Sequence, residues 1–158
     1  TLLVRLFYKE GDVIITSSIA DHAYRNILHC ICRKRLEAYI TPGIPDKRAT
    51  YAVTRSYYSR LVRDGVRIYE YTPGFCHAKQ CVADDEIATC GTINLDYRSF
   101  FHHFENGVLM YNCSAVYDIK ADFDETLTKC VEVTDRYVDG KKSLNIFRQT
   151  LRLFAVLM

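Results

Sequence analysis

No run of apolar residues in the 158-residue chain approaches the roughly 18–20 that a membrane-spanning helix needs. There is no internal repeat, no low-complexity tract and no long linker, which excludes solenoid and string-of-domains architectures. Net charge is slight, at +2, so charge alone gives no argument for nucleic acid. The opening stretch, Thr1 to Tyr8, is too short for a secretory signal and lacks a small-residue cleavage pattern. It also begins without Met, directly in apolar sequence, which we read as a segment of a longer protein. What the chain does have is an ordinary globular balance, 49% hydrophobic and 25% charged, which argues against extended disorder. The length suits a single domain.

Seven cysteines stand at 30, 32, 76, 81, 90, 113 and 130. The count is odd and most lie among apolar residues, the pattern of reduced, buried thiols in a cytosolic setting rather than of a disulfide framework. Cys30 and Cys32 beside His29 form the one cluster, and it lacks a spaced partner pair for zinc, so no metal site is expected.

Periodicity places alternating strands and helices. Val13–Thr16 reads as a short buried strand, and Asp21 as the cap of a helix carrying Ala23, Ile27 and Ile31 inward. Ala38–Ile40 reads as a strand stopped by Pro42-Gly43-Ile44-Pro45. A helix follows from Arg48 to Arg63, with Ala49, Ala52, Val53, Tyr57 and Leu61 as its apolar stripe and Asp64-Gly65 as its end. Val66–Tyr71 is a strand, and His77–Ala83 with Ile87–Gly91 a hairpin around Asp84-Asp85-Glu86. A strand over Glu105–Tyr111 precedes a helix capped at Ser114, with Val116, Ile119, Phe123 and Leu127 inward. A last amphipathic helix runs from Ser143 to Met158. The expected class is α/β, a mixed β-sheet flanked by helices.

The chemistry concentrates between Phe75 and Glu105. His77-x-Lys79, Asp84, Gly91 and Asn94 spell H-x-K-x4-D-x6-G-x2-N. Fixed residue types at such spacing arise by chance in a chain of this length with a probability on the order of 10⁻⁵ to 10⁻⁴. On a strand, residues two apart share a face and lie about 6.6–7 Å apart. An imidazole at 77 and an ammonium at 79 then converge on one phosphate, with the Asn94 amide and the Thr92 hydroxyl as further donors.

That motif resembles the signature of the phospholipase D superfamily. Tyr69–Lys79, Val82–Thr89, Gly91–Ser99, Pro42–Lys47 and Thr54–Arg60 are similar to the C-terminal catalytic half of bacterial cardiolipin synthases. The likeness covers nearly the whole chain and is loosest over residues 1–38. Cys76, Cys81 and Cys90 stand where it leads us to expect larger aliphatic or aromatic residues. The resemblance implies one phospholipase D-like domain over residues 1–158, with its motif at 77–94.

It also implies a mechanism. One histidine attacks phosphorus to form a phosphohistidine, a second protonates the leaving alcohol, and neither metal nor cofactor takes part. His77 is then the reacting imidazole: general acid and base in a C-terminal half, nucleophile in a symmetric homodimer. Lys79 and Asn94, with Thr92, hold phosphate. Glu105 matches the carboxylate that orients a catalytic histidine. Asp84 and Gly91 are structural members of the motif.

Further implications concern what lies around the chain. The substrate is a phospholipid, phosphatidylglycerol serving as donor and acceptor with release of glycerol. The setting is a membrane surface, with the catalytic domain on the cytoplasmic side. The family's site needs two such motifs and this chain has one. The second half therefore comes from the remainder of a longer chain, whose N-terminal half and membrane segments are missing here, or from a homodimer. Two other readings stay open: a homodimeric phosphodiesterase or nuclease, disfavoured by the modest charge, and a non-catalytic half-domain fragment.

Several side chains have bland readings of equal or greater weight. His102 and His103 suit the lining of a phosphate entrance but read rather as exposed loop histidines, and Asp96 with Arg98 reads as a buried ion pair holding the loop after Asn94 rather than as a direct substrate contact. Arg55, Arg60, Arg63 and Arg67 suit either anionic headgroups or a solvated basic face. The last helix, with Arg148 and Arg152, suits a membrane surface or a packed one.

Overall fold

A computed structural model describes the backbone of residues 13–17 and residues 38–94, 96, 98, 99, 102–138 and 150. The helix expected after Asp21, the cluster of His29, Cys30 and Cys32, and the helix expected from Ser143 lie outside the described residues. In chain order the elements are β1 (Val13–Ser17), β2 (Ala38–Pro42), α1 (Arg48–Arg63), β3 (Arg67–Tyr71), β4 (Gln80–Ala83), β5 (Ile87–Gly91), β6 (Asn106–Tyr111), α2 (Ser114–Thr128) and β7 (Cys130–Glu132), followed by a 3₁₀ turn (Thr134–Tyr137). The α/β class holds. The described strands fall into two sheets rather than one, β1-β6-β5-β4 and β2-β3-β7, and the chain divides into two compact units.

One unit takes in Arg35–His77 and the segment from Thr126 onward. Here β2 and β3 pair in parallel, Ala38 with Arg67 through Pro42 with Tyr71. Parallel neighbours need a crossover, and α1 supplies it. The three-residue β7 adds antiparallel to β3, Glu70 opposite Val131. The core consists of Tyr58, Val66, Ile68, Val133 and Tyr137, with Tyr39, Leu61 and Val62 packed against it. Of the expected α1 stripe only Val53 is buried; the helix turns Val53, Ser56, Tyr58 and Ser59 inward. Tyr58 is the deepest large side chain. Its hydroxyl lies 2.5 Å from Thr41 Oγ1, and its ring meets Tyr137 edge-on at 5.1 Å. Burial pushes the Tyr58 phenol well above its ordinary pKa. An apolar count along the helix misses this face because two of its members are serines.

The end of α1 follows from Gly65, which sits at φ 89°. Its amide donates to the Val62 carbonyl and that of Val66 to the Leu61 carbonyl, both at 3.0 Å. These are the paired bonds of a glycine-terminated helix, with Val66 and Leu61 in the same apolar cluster. The expected basic face is mostly committed elsewhere. Arg55 Nε donates to Tyr137 Oη at 2.9 Å and faces the buried Glu70 carboxylate at 3.2 Å. Arg67 grips Glu132 with two bonds, at 3.1 and 2.7 Å. Those bonds, joined by one from Thr134, hold the Glu132 carboxyl down at about 2.

The other unit takes in Ala78–Glu125 together with β1. Its sheet is antiparallel throughout, Val13 opposite Met110 in β1–β6 and Gly91 opposite Gly107 in β5–β6. Ala88, Met110 and Val116 form a smaller core, backed by Val82, Val108, Cys113, Ala115 and Ile119. Thus α2 packs on the sheet through Val116 and Ile119, while Phe123 and Leu127 are half-buried. Ser114 is the first helical residue rather than the one before it. No described helix is long and apolar enough to cross a membrane.

Candidate active site

Residues 75–79 have no regular secondary structure, and β4 begins only at Gln80. His77 and Lys79 therefore do not sit on a regular strand as their spacing suggests. One ladder bond reaches back this far, from the Gly91 amide to the Lys79 carbonyl at 3.2 Å. His77 is exposed, the last residue of its unit, and its ring lies 5.6 Å from that of Phe75, tilted by 33°. Lys79, half-buried, belongs to the other unit with Asp84, Gly91, Thr92, Asn94 and Glu105.

The hairpin that follows is tight. Asp84 and Asp85 both take left-handed backbone, φ 53° and 58°, and the Glu86 amide closes on the Ala83 carbonyl at 3.1 Å. Aspartate tolerates that conformation better than most residues with a Cβ. The turn sets the register of β4 on β5, Gln80 opposite Cys90, and so fixes where β5 delivers Gly91. No side chain fits at that point. A Cβ on Gly91 would come within 2.3 Å of the Asn106 carbonyl oxygen and 2.6 Å of Gly107 Cα. The motif's glycine thus permits a close backbone crossing just ahead of the polar loop.

Beyond it, Thr92 is tied to Asn106 from both sides. Its amide donates to the Asn106 carbonyl at 2.8 Å and its hydroxyl accepts the Asn106 amide at 3.0 Å. The hydroxyl proton is directed at Glu105 Oε2, in a short bond. Asn94 is held through its backbone, whose amide donates to Ser99 Oγ at 3.1 Å, and the residue itself stays exposed. Ser99 in turn donates its amide to Asp96 Oδ1 at 2.8 Å. Asp96 therefore braces the loop after Asn94 through Ser99, not through the expected ion pair with Arg98. The Arg98 guanidinium bonds the His103 ring instead, Nη2 to Nε2 at 3.0 Å. On its other side His103 Nδ1 faces Glu105 Oε1 at 3.6 Å. The Glu105 side chain is only 13% exposed, so these two neighbours and its burial define its surroundings.

The structure thus brings Thr92 to Glu105, Lys79 to Gly91, and Asn94 to a serine-braced loop, all within one unit. Sequence reasoning passed over Ser99, and it named His103 as an exposed loop histidine, which it is, without its contacts to Arg98 and Glu105. The available signal was the position of His103 two residues before the carboxylate of interest. Among the described residues no group of His, Cys, Asp and Glu is arranged to hold a metal ion.

The fold defines a phospholipase D-like domain. The Salmonella typhimurium phospholipase D family member Nuc superposes with a TM-score of 0.58 at 12% identity, over 77% of this chain and 97% of that one. Residues 12–127 match the family model described as cardiolipin synthase, PLD-like domain, and the chain belongs to that family. Cardiolipin synthase 2 of Bacillus anthracis is 35% identical over 120 residues, 75% of this chain and 23% of that protein. An uncharacterized protein of Streptococcus mutans is 48% identical over 120 residues, again 75% of this chain and 26% of that protein. The chain thus spans about a quarter of the length of these relatives.

Proposed function

We propose that this domain is one catalytic half of a cardiolipin synthase-like phosphatidyltransferase, with His77 as its reacting imidazole. The motif carries the reading: His77, Lys79, Asp84, Gly91 and Asn94 at the family spacing, with the hairpin presenting Thr92 and Glu105 in contact. The covalent step joins a histidine nitrogen to phosphorus and releases the first alcohol, glycerol, protonated by the opposing histidine. A second phosphatidylglycerol then gives up its hydroxyl proton and takes the phosphatidyl group, freeing the imidazole. As the C-terminal half of a two-motif enzyme, His77 supplies and then removes the protons; across a two-fold axis one copy supplies the nucleophile. The Lys79 ammonium and the Asn94 amide stabilise the extra charge on phosphorus oxygens, while Thr92, expected beside them, gives its hydroxyl proton to Glu105. Such chemistry on a lipid substrate takes place at a membrane surface, on the cytoplasmic side in this reading.

A second reading rests on the Nuc superposition. A chain of which 97% is matched has about the size of this domain alone, so a phosphodiesterase assembled from two identical copies is the alternative. Sedimentation of the chain, paired with turnover of a soluble chromogenic phosphodiester, separates the two. An active dimer silenced by His77→Ala means that one motif per chain suffices. An inactive monomer directs the test to the longer protein on phosphatidylglycerol vesicles, and failure to form cardiolipin there sinks the transferase reading.

A further inference from the structure

A second imidazole stands on the carboxylate expected to serve the reacting one. An arginine is always a donor, so the 3.0 Å contact of Arg98 Nη2 with His103 Nε2 requires a lone pair on that nitrogen. The ring proton is therefore on Nδ1, the nitrogen that faces Glu105 Oε1 at 3.6 Å. The other carboxylate oxygen takes the Thr92 hydroxyl. The chain of contacts runs Arg98, His103, Glu105, Thr92. It joins the helical turn after Asn94 to the start of β6, and the His103 amide also bonds the Arg98 carbonyl, at 2.8 Å. Among the described residues, the charged groups facing the His103 ring are Arg98 and Glu105.

We infer that His103, held by Arg98 in its Nδ1-protonated neutral form, is a positioning residue for the Glu105 carboxylate. The inference rests on the reading of Glu105 as the carboxylate that orients a reacting histidine. Two consequences follow from the donor count. Protonation of His103 puts a hydrogen on Nε2, which opposes the arginine donor and breaks that bond. The resulting imidazolium then competes for Glu105 as a full positive charge, drawing the carboxylate from its catalytic partner. The neutral ring thus holds Glu105 in place, and the charged ring takes it away.

Two measurements test this. Nitrogen-15 shifts of the histidine-labelled protein report the tautomer directly. His103 is expected as the Nδ1–H form, and Arg98→Gln is expected to let it relax toward the usual mixture. In the form of the protein that turns over a phosphodiester, His103→Ala should lower kcat about tenfold with KM within about twofold. His103→Asn, which can accept from Arg98 and donate to Glu105, should restore most of the rate. A His103 ring found in the Nε2–H form, or a His103→Asn rate no better than that of His103→Ala, overturns the inference. A wild-type protein with the expected tautomer but no turnover in any assembly counts against the phosphatidyltransferase reading and leaves the Arg98–His103–Glu105 linkage standing.

Discussion

The two compact units spend their side chains differently. In the unit built on α1, β3 and β7, aromatic and aliphatic residues close a core in which Tyr58 and Ile68 are fully buried, and even the charges are turned inward or paired. In the hairpin unit the core is a small cluster of Ala88, Met110 and Val116, and the polar residues of the motif stay near the surface on tight turns. One unit is held by area removed from water. The other is held by register, by a glycine crossing and by hydrogen bonds that tie Thr92 to Asn106 and Glu105 and the Asn94 backbone to Ser99. The comparison predicts that substitutions in the core of the first act on stability, and that those at the exposed motif residues, His77 at the boundary of the first unit and the others in the second, act on chemistry or on local geometry.

The largest effect expected is that of His77→Ala. In the assembled enzyme it should reduce turnover by roughly 10⁴-fold or more while leaving the thermal midpoint within experimental error. A large loss of stability there would dissolve the contrast between buried core and exposed motif. Tyr58→Ala should do the reverse, destabilising by about 3–5 kcal/mol in urea unfolding. Tyr58→Phe, which deletes only the bond to Thr41, should cost about 1 kcal/mol. Gly91→Ala falls between: the crowding against Asn106 and Gly107 should cost about 1–3 kcal/mol and disturb the adjoining Thr92 and Asn94 loop, so activity and stability fall together. A Gly91→Ala protein of normal stability and rate would show that the backbone crossing is less close than described.

The smallest effect concerns acid. Glu132 has its carboxyl lowered to about 2, first by the Arg67 hydrogen bonds and then by Thr134. A depressed folded pKa means that its contribution is complete above the ordinary carboxylate range and disappears as the pH falls toward about 2. Because the pair is exposed, the contribution is modest. Glu132→Gln should flatten the stability profile across that window, its modest loss of stability being present at neutral pH and vanishing toward about pH 2, as thermal melts at stepped pH would show.

Much of this was legible in the sequence, and the exceptions share a cause. The bounds of α1 follow from its length and from the glycine after it, the β4–β5 hairpin from Asp84-Asp85 between alternating residues, and the motif from spacing alone. The three-residue β7 was missed because it has too few positions to show alternation and exists through pairing with β3, some sixty residues earlier. Tyr58 was missed because the apolar stripe was drawn through its neighbour Tyr57, the serines at 56 and 59 that share its buried face not counting as apolar. His77–Lys79 was read into a strand that starts one residue later, because the spacing rule describes a regular ladder and this segment precedes it. His103 is the exposed loop histidine that its sequence position suggests, but its contact with Arg98 was not legible, because the two meet only across a helical turn.

The position of β1 bears on how the chain comes together. The hairpin of β4 and β5 closes over three residues and β6 joins it soon after, whereas β1 must find β6 across about a hundred residues of chain. Contacts so distant in sequence form late and slow the whole process. During synthesis β1 emerges first and waits, with the entire β2-α1-β3 segment made in between. Until it returns, one edge of β6 offers unpaired amides and carbonyls to any other extended strand, including the β1 of a neighbouring copy. Refolding at high concentration is therefore the condition under which this domain is most prone to exchange its first strand.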